Sequence, residues 1–97
     1  MSEATPRRPQ TGPASMPAPG WTYCGCCADG ESFLIDGLDV WQCEWVRRAG
    51  ETAVVRDPHY QQRFEFAVYE LRHGGQRLVV AAGEFSNCIW GFYRPDP

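Results

Sequence analysis

The sequence predicts a mostly β protein, a small antiparallel meander of five or six strands in a coiled sheet or partly open barrel. Three observations predict it. The stretch from Gln61 to Gly83, QQRFEFAVYELRHGGQRLVVAAG, holds two runs rich in Phe, Val, Tyr and Leu around Gly74-Gly75, and paired glycines supply the positive φ angles of tight hairpin turns. Other short apolar runs are separated by turn dipeptides such as Asp29-Gly30, Asp36-Gly37 and Asp57-Pro58. Connections that short join antiparallel neighbours. Lastly, both faces of the central hairpin are apolar, with Phe64, Phe66 and Val68 on one and Tyr69, Leu71, Leu78 and Val80 on the other. A flat sheet would leave one of these faces wet, so the sheet is expected to coil or to pair with a second subunit.

Met1 to Gly20, MSEATPRRPQTGPASMPAPG, contains no aromatic residue and five of the eight prolines. That is the composition of a disordered or polyproline-like tail. Residues 21–97 are expected to form a single small β domain, since all thirteen aromatics lie there. A body of that size buries only about 60% of its unfolded surface. The rings matter for that reason, because each large apolar side chain buried contributes roughly 1.5–3 kcal/mol.

Trp21 to Cys27, WTYCGCC, opens the ordered part and ends in the Ala28-Asp29-Gly30 turn. Glu31 to Ile35 is a short strand closed by Asp36-Gly37. Leu38 to Arg48, LDVWQCEWVRR, reads in two ways. Trp41, Cys43 and Trp45 alternate with Gln42 and Glu44 as in a half-buried strand, while Leu38, Trp41 and Trp45 also share a helical stripe with Asp39 early and arginines late. The strand is the expected form, because Val, Trp and Cys suit a pleated surface. Ala49-Gly50-Glu51 is expected to turn the chain into Thr52 to Arg56, which pairs back on the strand before it. Asp57-Pro58 ends that strand, since Pro lacks the ladder donor.

In the central hairpin, centring the turn between the glycines sets Leu71 opposite Leu78, Tyr69 opposite Val80, Val68 opposite Ala81 and Ala67 opposite Ala82. A slip of one residue would set Arg72 against Leu78 and turn one strand's side chains to the wrong face. Gly83 to Asn87 then reads as a polar turn, and Cys88 to Tyr93 as a last strand with Cys88, Trp90 and Phe92 on one face. Arg94-Pro95-Asp96-Pro97 stops it.

From Trp21 onward seven Arg stand against eleven Asp and Glu, a net charge of −4. Nucleic acid is excluded as an expected partner, because affinity for phosphates comes from a basic surface. Every basic side chain is Arg and none is Lys, which fits a GC-rich bacterial coding sequence. No run approaches the roughly 20 apolar residues of a membrane span, and no apolar segment follows the N-terminal arginines. A cytoplasmic protein without membrane contact is expected, with its five cysteines free or bound to metal. Phosphate loops, H-E-x-x-H and the Ser nucleophile elbow are absent from the sequence, and His59 and His73 fall in or beside turns.

The expected function is therefore non-enzymatic and cofactor-free: binding of a protein partner, or of a second copy, through Tyr60, Glu84, Phe85 and Tyr93. These aromatic and acidic residues lie in or beside turns, and aromatics are enriched in protein-binding surfaces. The alternative is a cysteine module that holds zinc or acts as a redox thiol. Cys24 and Cys27 have C-x-x-C spacing, and Cys43 with Cys88 would complete a tetrahedral zinc site. In redox proteins such a motif opens a helix whose N-terminus lowers the first thiol's pKa, whereas here Asp29-Gly30 follows at once. Cys43 and Cys88, sharing a face with tryptophans, also read as core thiols.

Overall fold

The computed structural model describes residues 20–97. Apart from Gly20, the expected Pro-rich tail lies outside the described residues. Among the described residues seven strands form: β1 (Trp21–Ala28), β2 (Leu34–Ile35), β3 (Leu38–Asp39), β4 (Glu44–Arg56), β5 (Arg63–His73), β6 (Gln76–Ser86) and β7 (Ile89–Pro95), with a 3-10 turn at Val40–Gln42 between β3 and β4. Five of them make one antiparallel sheet in the order β1-β7-β6-β5-β4, and β2 pairs with β3 alone. The last four strands are the expected meander. β1 returns to the far side of β7.

The central hairpin has the register its residues predict, with Leu71 opposite Leu78 and Ala67 opposite Ala82. Gly74 and Gly75 take φ of 57° and 84°, the two positive angles of a type I′ turn. Asp36 and Gly37 repeat the device at 51° and 82° and fold β2 onto β3.

Four expectations need correction. Ala49-Gly50-Glu51 does not reverse the chain: Arg47 pairs with Tyr69 and Thr52 with Ala67, so the four residues between them face only Val68 and bulge outward. Arg47 donates to the carbonyls of Arg48 and Glu51 and braces the bulge. Thr52–Arg56 thus pairs with β5 and not with the segment before it, because β5 is eleven residues long and its outer side needs a ladder along its whole length. Leu38 to Arg48 is neither one strand nor a helix. The Asp39 carboxylate accepts from the backbone N–H of Trp41 at 3.1 Å and of Phe33 at 3.4 Å, and bends the chain into the 3-10 turn. The strand expected from Glu31 is confined to Leu34–Ile35. Cys88 is not in a strand: β6 runs on through Ser86, and Asn87 and Cys88 make the turn to β7, with Cys88 at φ 64°.

The sheet has two apolar faces. On the first, Cys27, Leu71, Val80, Ala82 and Phe92 pack beneath Ile35 and Val40, so the β2–β3 excursion with its 3-10 turn serves as a lid. Trp41 stacks on Trp45 at 5.2 Å, and Trp90 stands edge-on to both. Arg94 holds the lid's tip through Asp36 at 2.8 Å. On the second face Ala53, Val55, Phe66, Val68, Ala81 and Tyr93 form a separate core, covered by the coiling of the sheet itself. The Tyr93 hydroxyl donates to the Arg56 carbonyl at 2.5 Å, although β7 and β4 are three strand spacings apart, ~14 Å in a flat sheet. On the first face the Trp45 ring comes within 5.9 Å of Phe92 across the same gap. The two halves of β4 therefore curl to opposite faces, with the bulge between them. The sheet coils as expected and does not close into a barrel, which leaves β1 and β4 as edges.

Candidate protein-binding surface

Tyr60, Glu84, Phe85 and Tyr93 do not form one surface. Tyr60 is 84% exposed at the tip of the β4–β5 loop. The loop is well braced: the Asp57 carboxylate accepts from the His59 N–H at 3.0 Å, the Gln61 N–H reaches the Asp57 carbonyl at 2.8 Å, and Arg56 reaches the Gln61 carbonyl at 3.0 Å. Glu84 is exposed but on the other face, where its carboxylate accepts from the Cys88 N–H at 3.3 Å and supports the last turn. Phe85 is half-buried against Phe64 and Phe66, in space that Gly91 leaves open: a Cβ there would lie 2.2 Å from the Phe85 ring. Tyr93 is 2% exposed and offers a partner nothing. Burial first, then the nearby Asp57 charge, push its hydroxyl up to about 12. The sequence signal for the aromatic packing on the second face was the pair of glycines, Gly83 opposite Gly91: the first leaves room for the Phe66 ring and the second for Phe85.

The cysteines are dispersed. Cys24 and Cys43 pack against the core of the first face, where Cys27 is buried and accepts from the Trp41 indole N–H at 3.4 Å. Cys43 donates to the Asp39 carbonyl at 3.4 Å, while Cys88 is exposed on its turn. Among the described residues no three His, Cys, Asp or Glu side chains gather as metal ligands. Burial pushes the thiols of Cys24, Cys27 and Cys43 above their ordinary pKa, away from the thiolate that metal binding and redox exchange require.

What the fold does expose is two strand edges, and the residues of β1 make its edge the more available. The Asp96 N–H bonds the Gly20 carbonyl, and the Asp29 N–H bonds the Cys88 carbonyl. Counting by twos from each end, the peptide groups of Thr22, Gly25 and Cys27 point toward β7. Those of Trp21, Tyr23, Cys26 and Ala28 point away from it, but the Ala28 pair is taken: its carbonyl accepts from the Glu31 N–H and its N–H donates to the Glu31 carboxylate, both at 2.9 Å. The phase changes between Tyr23 and Gly25 because Cys24 is an extra residue, a β-bulge, in the register with β7. Gly25 has φ 140°, and the Phe33 ring of the lid lies 2.7 Å from where its Cβ would be. Only glycine fits there. None of the eight β1 residues is charged, and Cys26 is exposed. Sequence reasoning missed this surface because WTYCGCC drew attention to its thiols. The signal present was a charge-free run beginning with Trp and Tyr.

Among the described residues no helix is long and apolar enough to cross a membrane. No protein family, curated protein or solved structure matches the chain.

Proposed function

We propose that this chain is a protein-binding β domain that accepts a further strand on the free edge of β1. One observation carries the reading: an edge strand with no charged residue of its own, whose outward peptide groups at Trp21, Tyr23 and Cys26 face away from the sheet. An unpaired strand edge is a template for another strand, and proteins that avoid this use place charges or prolines along it, neither of which β1 contains. Strand addition draws affinity from main-chain hydrogen bonds and specificity from the side chains beside them. Here those side chains are Trp21, Tyr23 and Cys26, which line the second face at its rim.

The experiment is a selection of displayed peptides on the full chain, followed by amide chemical-shift mapping of those that bind. Shifts concentrated on Trp21–Ala28, lost in a Cys26→Lys variant that keeps its circular dichroism spectrum, are the expected result. Binders that map to the Tyr60 loop or to β4, or that ignore Cys26→Lys, would refute strand addition at β1.

A further inference from the structure

Resting on strand addition at β1, we infer that this edge is held in the resting protein by the chain's own segment Arg8 to Met16, turned back antiparallel to β1, and that a partner gains the edge by displacing it. The outward ladder sets the terms. The peptide groups of Ala28 belong to Glu31, so an added strand finds three positions to bond, at Trp21, Tyr23 and Cys26. On the inner side two steps along β7, from Tyr93 to Gly91, span the three steps from Tyr23 to Cys26. A regular strand on the outer side therefore meets the three positions with every second residue.

The segment before β1 meets that requirement through the parity of its prolines. Pro9, Pro13, Pro17 and Pro19 all stand at odd positions, and every even position from 8 to 18 keeps its N–H. Proline is admitted to an edge strand where its nitrogen faces away from the ladder, so one side of this segment can bond a neighbour and the other cannot. The residue before each proline is also held extended. With Pro17 to Gly20 as the reversal, a common length for a hairpin connection, Met16 comes opposite Trp21, Ala14 opposite Tyr23 and Gly12 opposite Cys26. No proline falls in the ladder.

Side chains and charge agree with this register. Residues opposite one another in a ladder share a face, and Trp21 and Tyr23 pack on the second face of the sheet. Met16, the one large apolar side chain between Ser2 and Gly20, is thereby set beside the Trp21 ring, a favourable place for a thioether. Ala14 and Gly12 leave room for Tyr23 and Cys26. Residues 1–20 carry Arg7 and Arg8 against Glu3, a net charge of +1, next to a domain of net −4. Past Gly12 the segment runs on toward the Ala28–Glu31 turn, so the arginines arrive beside Asp29 and Glu31. Main-chain bonds ask for no core of the segment's own, and a four-residue tether sets its local concentration on the order of millimolar. Three ladder positions then suffice to cover the edge.

The test follows amide exchange in the full chain over a wide concentration range, with a proline added at one parity or the other. In the parent the amides of Trp21, Tyr23 and Cys26 are expected to exchange slowly at every concentration. Ala14→Pro puts a ring into the ladder and should speed exchange at Tyr23 and Cys26 by about tenfold or more; Ser15→Pro puts the same ring on the outer side and should leave it slow. Both substitutions precede β1, so the amides of β5 and β6 report that the fold is unchanged. Displayed peptides that map to β1 should bind the Ala14→Pro chain about tenfold more tightly, the gain from removing an occupant present in about nine chains of ten. Fast exchange of the three amides in the parent, or equal effects of the two prolines, would overturn the inference, as would protection that grows with concentration, the mark of a second copy. Peptides that still protect Trp21, Tyr23 and Cys26 would then leave strand addition standing; if none maps there even in the Ala14→Pro chain, the function falls as well.

Discussion

β1 and β4 are the two outer strands of one sheet, and their residues treat the same exposed backbone in contrary ways. The thirteen residues of β4 include Glu44, Arg47, Arg48, Glu51 and Arg56, and the strand is interrupted by a bulge that Arg47 ties down with its own side chain. Its eight-residue counterpart β1 has no charged residue, and its single-residue bulge leaves Trp21 and Tyr23 outward on one side and Cys26 on the other, while the outward groups of Ala28 are taken by Glu31. Both edges offer unpaired N–H and C=O groups, so hydrogen-bonding capacity does not separate them. What separates them is the cost an incoming strand meets: desolvated arginines and a broken ladder at β4, thiols and rings at β1.

The largest expected effect strikes the bulge on which β1's edge depends. Gly25→Val adds a Cβ where the Phe33 ring lies and forces a β-branched residue to φ 140°, which should cost about 3 kcal/mol by overpacking and backbone strain. Urea denaturation reads the loss, and a variant as stable as the parent would show that the lid does not hold the bulge in place. Next comes the opposite edge. Replacing Arg48–Glu51 by one valine lets β4 pair with β5 without interruption and leaves its outer side regular. A second open edge should carry the chain into larger species, seen by light scattering; unchanged size would mean that the bulge is not what blunts β4.

A smaller effect concerns the coiling that keeps the edges apart. Tyr93→Phe removes the bond to the Arg56 carbonyl and should cost about 1 kcal/mol. It should also change the pH profile. The Tyr93 hydroxyl is raised from 10.0 to about 12 in the fold, so above pH 10 the unfolded chain releases a proton that the folded chain still holds, and stability falls as pH rises toward about 12. Burial raises Tyr23 as well, so Tyr93→Phe should lessen this decline and not abolish it. The smallest expected effect separates stability from association. Cys88→Gly relieves a left-handed φ of 64° next to β7 and should add about 0.5 kcal/mol, with no change in sedimentation.

Much of the fold was legible because local chemistry and local geometry agree. Gly74-Gly75 and Asp36-Gly37 each demand a reversal wherever they sit, and the cross-strand match of Leu71 with Leu78 fixes the register without help from the rest of the chain. Misreadings fell where one residue type serves two geometries. Gly50 suits a hairpin turn or a bulge, and the length of β5 decides between them by needing a partner along its whole outer side. Cys88 suited a strand by alternation with Trp90 and Phe92, yet the bulged pairing of β6 with β7 put it in the turn. Of the expected binding residues, Tyr60 was exposed as its loop composition implied, while Tyr93 turned inward because the sheet coils far enough for its hydroxyl to reach Arg56.

By itself the sequence determined an antiparallel β protein, the register of the central hairpin and the need to cover two apolar faces, since these follow from side-chain periodicity and turn dihedrals that act over a few residues. Which strands became edges was decided only in the tertiary structure. No short-range preference tells β1 to cross to β7 rather than to pair with its sequence neighbour; that choice comes from the lid packing on Gly25 and Phe92 and from the ladder that β7 would otherwise leave unpaired. The outward row of β1 exists only once β7 has taken the inward one.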